Sequence, residues 1–151
     1  MNKKTYDSNG FCFEYPADWT IEAYEDGVSV TSPSETTWTI RRFPADMNAE
    51  DFLQEVADAL EEEYDSIDTE KTEEEINSGL ILETWEMDFY CMDLPCVARA
   101  QVLKTPFALY FMFSQADSQE LDDAAPMIDD IVDSWLEPFR QMDVNAGLST
   151  E

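Results

Sequence analysis

Residues 107–114 read FALYFMFS and carry apolar side chains on both faces of an extended strand. The two alternating sets are Phe107, Leu109, Phe111 and Phe113 on one side, and Ala108, Tyr110 and Met112 on the other. A strand with one face in water would instead alternate apolar with polar residues. The stretch therefore predicts a central strand with a packed layer against each face.

The chain of 151 residues fits a single domain, and its hydrophobic content of 44% is enough for a packed core. Its charge is strongly negative, with 35 acidic and 8 basic residues and a formal net charge of −27. Such a surface repels nucleic-acid phosphates and anionic lipid headgroups, so we predict no nucleic-acid partner and no membrane insertion. It favours basic proteins or cations. An acidity shared by all proteins of the source organism is the alternative explanation.

Catalytic and metal-binding residue patterns are scarce in this sequence. Histidine, the usual general base and transition-metal ligand, is absent. The three cysteines, Cys12, Cys91 and Cys96, have no zinc-site spacing and are expected to be reduced thiols. Carboxylate pairs such as Glu83 and Glu86 have no distinctive spacing, and no calcium-loop motif occurs. We predict no enzyme activity, no catalytic residues, no metal site and no cofactor.

Short segments of period two alternate with two segments of helical period. Strands are predicted at 10–15, 19–24, 28–31, 36–43, 80–91, 96–104 and 107–114, with helices at 48–64 and 117–137. Residues 66–75 alternate poorly and are expected to form either an exposed edge strand or a long loop. The fold class is α+β: a single antiparallel sheet of about six to eight strands flanked by two main helices. Residues 1–137 are predicted to form one domain, and 138–151 are expected to be a flexible tail. No secretory signal or membrane span is recognisable, which predicts a cytoplasmic location.

The start and the end of this pattern resemble the PsbP-like superfamily over residues 10–137. The shared residues are Gly10, Phe11, Phe13, Tyr15, Pro16 and Trp19, then Gly27, Val28 and a Ser-Pro pair, the strand residues Ala108, Leu109, Tyr110 and Phe111, and a closing helix with Ile131, Val132, Asp133, Ser134 and Trp135. The resemblance implies a sheet flanked by helices and a binding or assembly role without catalysis. One bacterial branch consists of chaperones that hold apolar segments of type VI secretion effectors. The resemblance carries no site residue over to this chain.

Two candidate partner-binding sites follow from the residues. The first is an acidic cluster formed by Glu61, Glu62, Glu63, Asp65, Asp68, Glu70, Glu73, Glu74 and Glu75. Acidic surfaces attract Lys- and Arg-rich proteins in a salt-dependent way. The alternative is a solvated face on a helix and an edge strand, where charge discourages sheet-to-sheet aggregation.

The second candidate site is Trp38 with Arg41 and Arg42, because tryptophan and arginine are enriched at interface hot spots. The alternative places Trp38 in the core and pairs the arginines with nearby carboxylates. The sequence thus predicts a non-enzymatic binding or assembly protein with an unidentified protein partner. Second is a chaperone that holds apolar segments, a class often built as a homodimer; third is a small-ligand or cation binder.

Overall fold

A computed structural model describes residues 2–64, 66–77 and 79–141 of the chain. Within these residues lie nine strands and two helices. In chain order they are β1 Lys3–Ser8, β2 Phe11–Pro16, β3 Thr20–Ala23, β4 Gly27–Thr31, β5 Thr37–Pro44, α1 Ala49–Glu63, β6 Asp68–Asn77, β7 Leu80–Cys91, β8 Leu94–Lys104, β9 Ala108–Asp117 and α2 Ser118–Gln141. The predicted α+β class is confirmed.

Seven of the strands form one antiparallel sheet in the order β3-β4-β5-β9-β8-β7-β6. The strand β9 lies in the middle of this sheet, as the apolar stretch predicts. Its residues divide between two cores: Tyr110 and Met112 face the layer that includes α2, whereas Leu109, Phe111 and Phe113 face the layer that includes α1. The two-sided burial predicted for this strand is therefore confirmed.

The beginning of the predicted strand differs from the structure. Phe107 lies before β9 and is 83% exposed, so it does not share the buried face of Leu109. The Thr105 hydroxyl accepts hydrogen bonds from the N–H groups of Phe107 and Ala108, at 3.2 and 3.0 Å, and closes a tight turn there. The turn is set by local hydroxyl-to-backbone bonding, which hydrophobic periodicity does not register.

The first two strands form a separate hairpin, although the sequence predicted a single sheet for all strands. β1 pairs only with β2, and this two-stranded sheet lies outside the main sheet. Phe11 and Phe13 of β2 enter the α2-side core, where the Phe13 ring meets the Trp38 ring edge to face at 5.3 Å. The backbone N–H of Glu14 donates to the Ser134 hydroxyl of α2 at 2.8 Å. The hairpin is thus fixed between the sheet and α2.

Helix α1 agrees with the predicted helix. The Asn48 side chain accepts a hydrogen bond from the Asp51 N–H at 3.1 Å, as expected of an N-cap. Leu53, Ala57 and Leu60 are buried at three- and four-residue steps. Because α1 covers the face formed by Leu109, Phe111 and the inner residues of β7 and β8, it closes the second core.

Helix α2 is longer at its C-terminus than the sequence pattern indicates. Pro126 and Pro138 both lie inside the helix, which continues to Gln141. Residues 138–141 are therefore helical rather than part of a tail, and 142–151 lie outside the described residues. The sequence from Asp117 to Glu120 has the form of a helix capping box, with Glu120 three residues after the cap, but the Asp117 side chain lies outside the described set.

Candidate functional site

The predicted acidic strand is the outermost strand of the main sheet. Within the described part of the chain, β6 pairs with β7 alone, and its residues 68–75 are all exposed. At its end, the Asn77 side chain donates to the Phe139 carbonyl of α2 at 3.0 Å, which ties this corner of the sheet to the helix. Alternate N–H and C=O groups of an edge strand point away from the sheet. β6 thus offers a backbone edge and a row of carboxylates together.

Three carboxylates of β6 lie directly across from carboxylates of β7. The pairs are Asp68 opposite Asp88, Glu70 opposite Glu86, and Glu73 opposite Glu83. Like charges at directly opposed positions destabilise a strand pair, by a few tenths of a kcal/mol up to about 1 kcal/mol. The edge therefore has more negative charge than strand pairing alone would favour.

The pKa of Glu83 is shifted by its burial and by the neighbouring carboxylates. It is raised above the ordinary glutamate value, first because partial burial disfavours the charged carboxylate, and then because Glu73 and Glu50 repel it. Lys71, which lies two residues before Glu73, has its ammonium over the Trp85 ring at 4.1 Å. This cation–π contact places the Lys71 charge on the α1 side of the sheet, the side to which Trp85 belongs.

The Glu70–Glu86 pair is offset by an arginine on the next strand. Arg99 of β8 approaches one oxygen of Glu86 with Nε and Nη2, at 3.2 and 3.1 Å, and donates from Nη1 to Asp129 of α2 at 2.8 Å. Burial lowers the pKa of Arg99, but the hydrogen bond and charge of Asp129, together with Glu86, outweigh it and raise the pKa overall. Arg99 thus stays charged and connects two strands to α2.

The other part of the predicted acidic cluster ends helix α1. Glu61, Glu62 and Glu63 are exposed in its last turn, and that turn has no basic residue. Carboxylates are unfavourable there because the helix dipole already places partial negative charge at the C-terminus. Asp65, which follows, lies outside the described residues. In the sequence, only residues 64–67 separate this helix end from β6.

The second predicted site does not join the first. Trp38 is 1% exposed and packs in the α2-side core, so it cannot touch a partner. Arg41 forms an ion pair with Asp26 at 3.1 Å, and Arg42 donates to the Asn9 carbonyl at 3.0 Å. β5, which carries all three predicted residues, is separated from β6 by three strands. The burial of Trp38 and the Arg41–Asp26 pair agree with the alternative interpretation, whereas Arg42 bonds to a backbone carbonyl and not to a carboxylate.

A cleft of about 520 Å³ opens at one end of the sheet, on the face that α1 covers only in part. Thr37 and Thr39 of β5, Phe113 and Gln115 of β9, and the cysteines Cys91 and Cys96 line it. Sequence reasoning did not predict this cleft, because its walls come from strands that pair over long sequence separations. Its volume falls in the range of ligand-binding clefts.

Tyr64 stands at the boundary between α1 and this cleft. Its ring stacks on Phe89 at 4.4 Å, and the Cys91 thiol donates to its hydroxyl oxygen at 3.9 Å. The contact with Cys91, followed by burial, raises the pKa of Tyr64 above its usual value of 10.0. Tyr64 therefore remains a neutral phenol. Because its partner Cys91 lines the cleft, Tyr64 lies directly behind one wall of the cleft.

No group of three or more cysteine or acidic side chains within 2–64, 66–77 and 79–141 is placed to hold a metal ion. Neither α1 nor α2, as far as the structure describes them, has the apolar length needed to cross a bilayer.

No protein-family model and no curated protein sequence matches the chain. Solved structures do match its fold. The solution structure of cyanobacterial PsbP (CyanoP) from Synechocystis sp. PCC 6803 gives a TM-score of 0.62 at 16% identity, covering 87% of this chain and 90% of that one. A crystal structure from Bacteroides thetaiotaomicron gives 0.58 at 16% identity, covering 89% and 48% of the two chains. LpqN of Mycobacterium tuberculosis, described as involved in cell envelope biogenesis, gives 0.51 at 12% identity, covering 86% and 87%.

These matches confirm the PsbP-like fold that the sequence resemblance implies. At 12–16% identity they describe the architecture of the chain.

Proposed function

We propose that this protein is a non-enzymatic binding or assembly protein that captures a basic, extended segment of a partner protein along β6. The observation that carries the proposal is the exposed edge strand itself. Residues 68–75 present an edge backbone and five exposed carboxylates, three on the α2 side of the sheet and two on the α1 side. An extended peptide can add to such an edge as a further strand, with main-chain hydrogen bonds for affinity and side-chain contacts for specificity.

The placement of the acids supports this proposal over a general solubilising role. Carboxylates oppose carboxylates across the β6–β7 pair, and three more glutamates end helix α1 against its dipole. Each position costs some stability, and uncharged polar residues would keep the surface soluble without that cost. A basic segment bound along β6 would turn these repulsions into attractions. Because the acids are exposed, the attraction should weaken as salt is added.

The test uses a ten-residue peptide that alternates lysine and valine, end-capped and fluorescently labelled. Its affinity is measured by anisotropy at about 0.05 M and about 0.5 M salt. A second peptide of the same sequence carries N-methyl groups on all of its internal amides, so it keeps the charge but cannot donate ladder hydrogen bonds from either edge. We expect the unmodified peptide to bind at low salt and the methylated peptide to bind at least tenfold more weakly.

The protein variants compare charge at the edge with charge elsewhere. One variant combines Glu70→Gln, Glu73→Gln and Glu74→Gln on β6, and should lose most of the binding. The matched control combines Glu22→Gln, Glu55→Gln and Asp122→Asn, which lie exposed on β3, α1 and α2 and change the net charge equally. Equal loss in the two variants would mean attraction to net charge and would refute a β6 site.

The second candidate function, a chaperone for apolar segments, is favoured by exposed apolar residues at the β7–β8 end of the sheet, including Tyr90 and Leu94 at 66% and 50% exposure. It predicts a different salt dependence, since apolar contacts are not screened. Binding that persists at about 0.5 M salt and is unaffected by the β6 substitutions would favour the chaperone over the edge-strand proposal.

A further inference from the structure

The turn between β7 and β8 exposes an apolar side chain to solvent. Its two central residues also have an unusual backbone conformation. Met92 and Asp93 have φ values of 53° and 67°, and Cys91 pairs with Leu94 across them, as in a type I′ hairpin. Such turns favour asparagine and glycine because both central residues need positive φ. Met92 is nevertheless 92% exposed. Neither turn geometry nor core packing explains a methionine at this position.

Met92 stands at the rim of the 520 Å³ cleft. Leu94, at the start of β8 and 50% exposed, continues the apolar rim. Phe113, Cys96 and Ala116 add apolar surface inside the cleft. A flexible methionine beside an apolar cleft is typical of surfaces that adapt to a bound side chain. The cleft is large enough for one aromatic or leucine side chain of a partner.

The charged residues around the cleft indicate which residue types flank the inserted side chain in the partner. Glu35, from the turn before β5, and Glu120, from the first turn of α2, both line it. Among the described residues that line it, none is lysine or arginine. A second copy of this chain is a poor occupant, because it would bring a further net charge of −27. Charge complementarity therefore favours a basic partner.

We infer that the cleft and its Met92–Leu94 rim form a docking site for a peptide segment of a partner protein, one that inserts an apolar anchor side chain flanked by lysine or arginine. The anchor packs against Phe113 and Leu94, with the basic flanks near Glu35 and Glu120. None of the residues lining this site belongs to β6. The site is therefore separate from the edge-strand proposal, and either can fail without the other.

The test uses the labelled peptide Lys-Lys-Phe-Leu-Lys-Lys and a control of equal charge in which Phe and Leu are both replaced by alanine. Binding to the full chain is measured by anisotropy. We expect the apolar peptide to bind at least tenfold more tightly than the alanine peptide. Equal affinities would show attraction to charge alone and would overturn the proposal.

The decisive variant is Met92→Asn, which places a residue that favours positive φ in the turn and removes the apolar side chain. We expect it to raise the melting temperature while weakening peptide binding at least tenfold. Leu94→Thr should weaken binding as well. Tyr90→Thr is the matched control, because Tyr90 is 66% exposed but its side chain points to the opposite face of the hairpin from Cys91. Wild-type affinity in Met92→Asn would overturn the site.

Two further readouts locate the peptide and identify the occupant. With a photoreactive phenylalanine at the anchor position, cross-links should map to residues 91–96 and 113–116, and cross-links confined to β6 would contradict the proposal. Sedimentation velocity of the wild type should show a monomer. A dimer that Met92→Asn dissociates would assign the cleft to a second copy of the chain and would overturn a peptide site.

Discussion

Replacing Arg99 by methionine tests whether the charge network between the sheet and α2 stabilises the fold. Methionine keeps an unbranched apolar side chain but removes the guanidinium, which contacts Glu86 at 3.1 Å and Asp129 at 2.8 Å. The arginine side chain is 22% exposed, whereas the two carboxylates are 38% and 57% exposed. Each contact therefore falls between an exposed pair, worth up to about 1 kcal/mol, and a well-buried charged hydrogen bond of about 1.5–3 kcal/mol.

About 1 kcal/mol for each carboxylate gives an expected loss of about 2 kcal/mol in the free energy of unfolding. For a domain of this size, that loss corresponds to a fall of about 4–8 °C in melting temperature. Urea unfolding, followed by tryptophan fluorescence, measures the free energy directly. A double-mutant cycle with Glu86→Gln should return a coupling energy of about 1 kcal/mol.

The matched control is the same substitution at Arg140. That arginine pairs with Asp133 at 3.1 Å within α2, so it joins no separate elements and should cost less than 1 kcal/mol. A loss below about 0.5 kcal/mol in Arg99→Met, or a coupling energy near zero in the cycle, would refute the stabilising role assigned to the network.

Three other predictions concern charge and backbone conformation. Glu83→Gln should stabilise the fold by roughly 0.5 kcal/mol at pH 7. Because the folded-state pKa of Glu83 is raised, this difference in unfolding free energy should be absent below the unfolded-state pKa of about 4.3 and should appear as pH rises through the folded-state pKa. A pH-independent difference in urea titrations would contradict the assigned repulsion from Glu73. Gly10→Ala should cost about 1 kcal/mol more than Gly79→Ala, since both glycines have positive φ but a methyl group at Gly10 would displace the Arg42 guanidinium; equal losses would contradict this. Raising ionic strength to about 1 M should raise the melting temperature, and an unchanged value would show that the acids do not repel one another appreciably.

The parts of the fold that depend on local patterns could be predicted from the sequence. The two-sided apolar alternation of residues 108–113 indicated a central strand, and Asn48 with the stripe after it indicated α1. β1 was missed because Lys3–Ser8 has no buried residue to set a period. The end of α2 was also missed, because Pro138 usually ends a helix but here lies within one.

The acidic edge could be predicted from the sequence, whereas the cleft could not. A run of acids with poor alternation between two better strands already indicated an exposed edge, and β6 lies there. The cleft depends on Thr37 of β5 pairing with Gln115 of β9, residues far apart in the chain. The nearest sequence signal was the run Asp93-Leu94-Pro95 between two predicted strands, which is typical of a turn, but the structure places the turn at Met92–Asp93, with Pro95 already in β8. Because the turn lies at Met92–Asp93, Met92 is a turn residue and its side chain is exposed.

The position of β9 beside β5 has a consequence for synthesis on the ribosome. β5 ends at Pro44, and its inner neighbour β9 begins only at Ala108. At a synthesis rate of roughly 5–20 residues per second, β9 follows β5 after on the order of 3–13 s. During this time the β5 edge that later pairs with β9 has no partner, and β5 exposes the apolar residues Trp38 and Ile40. The segment made during that interval includes the acids of α1 and β6, which keep nascent chains apart by mutual repulsion. The same charge that we assign to partner binding would then protect the unfinished sheet.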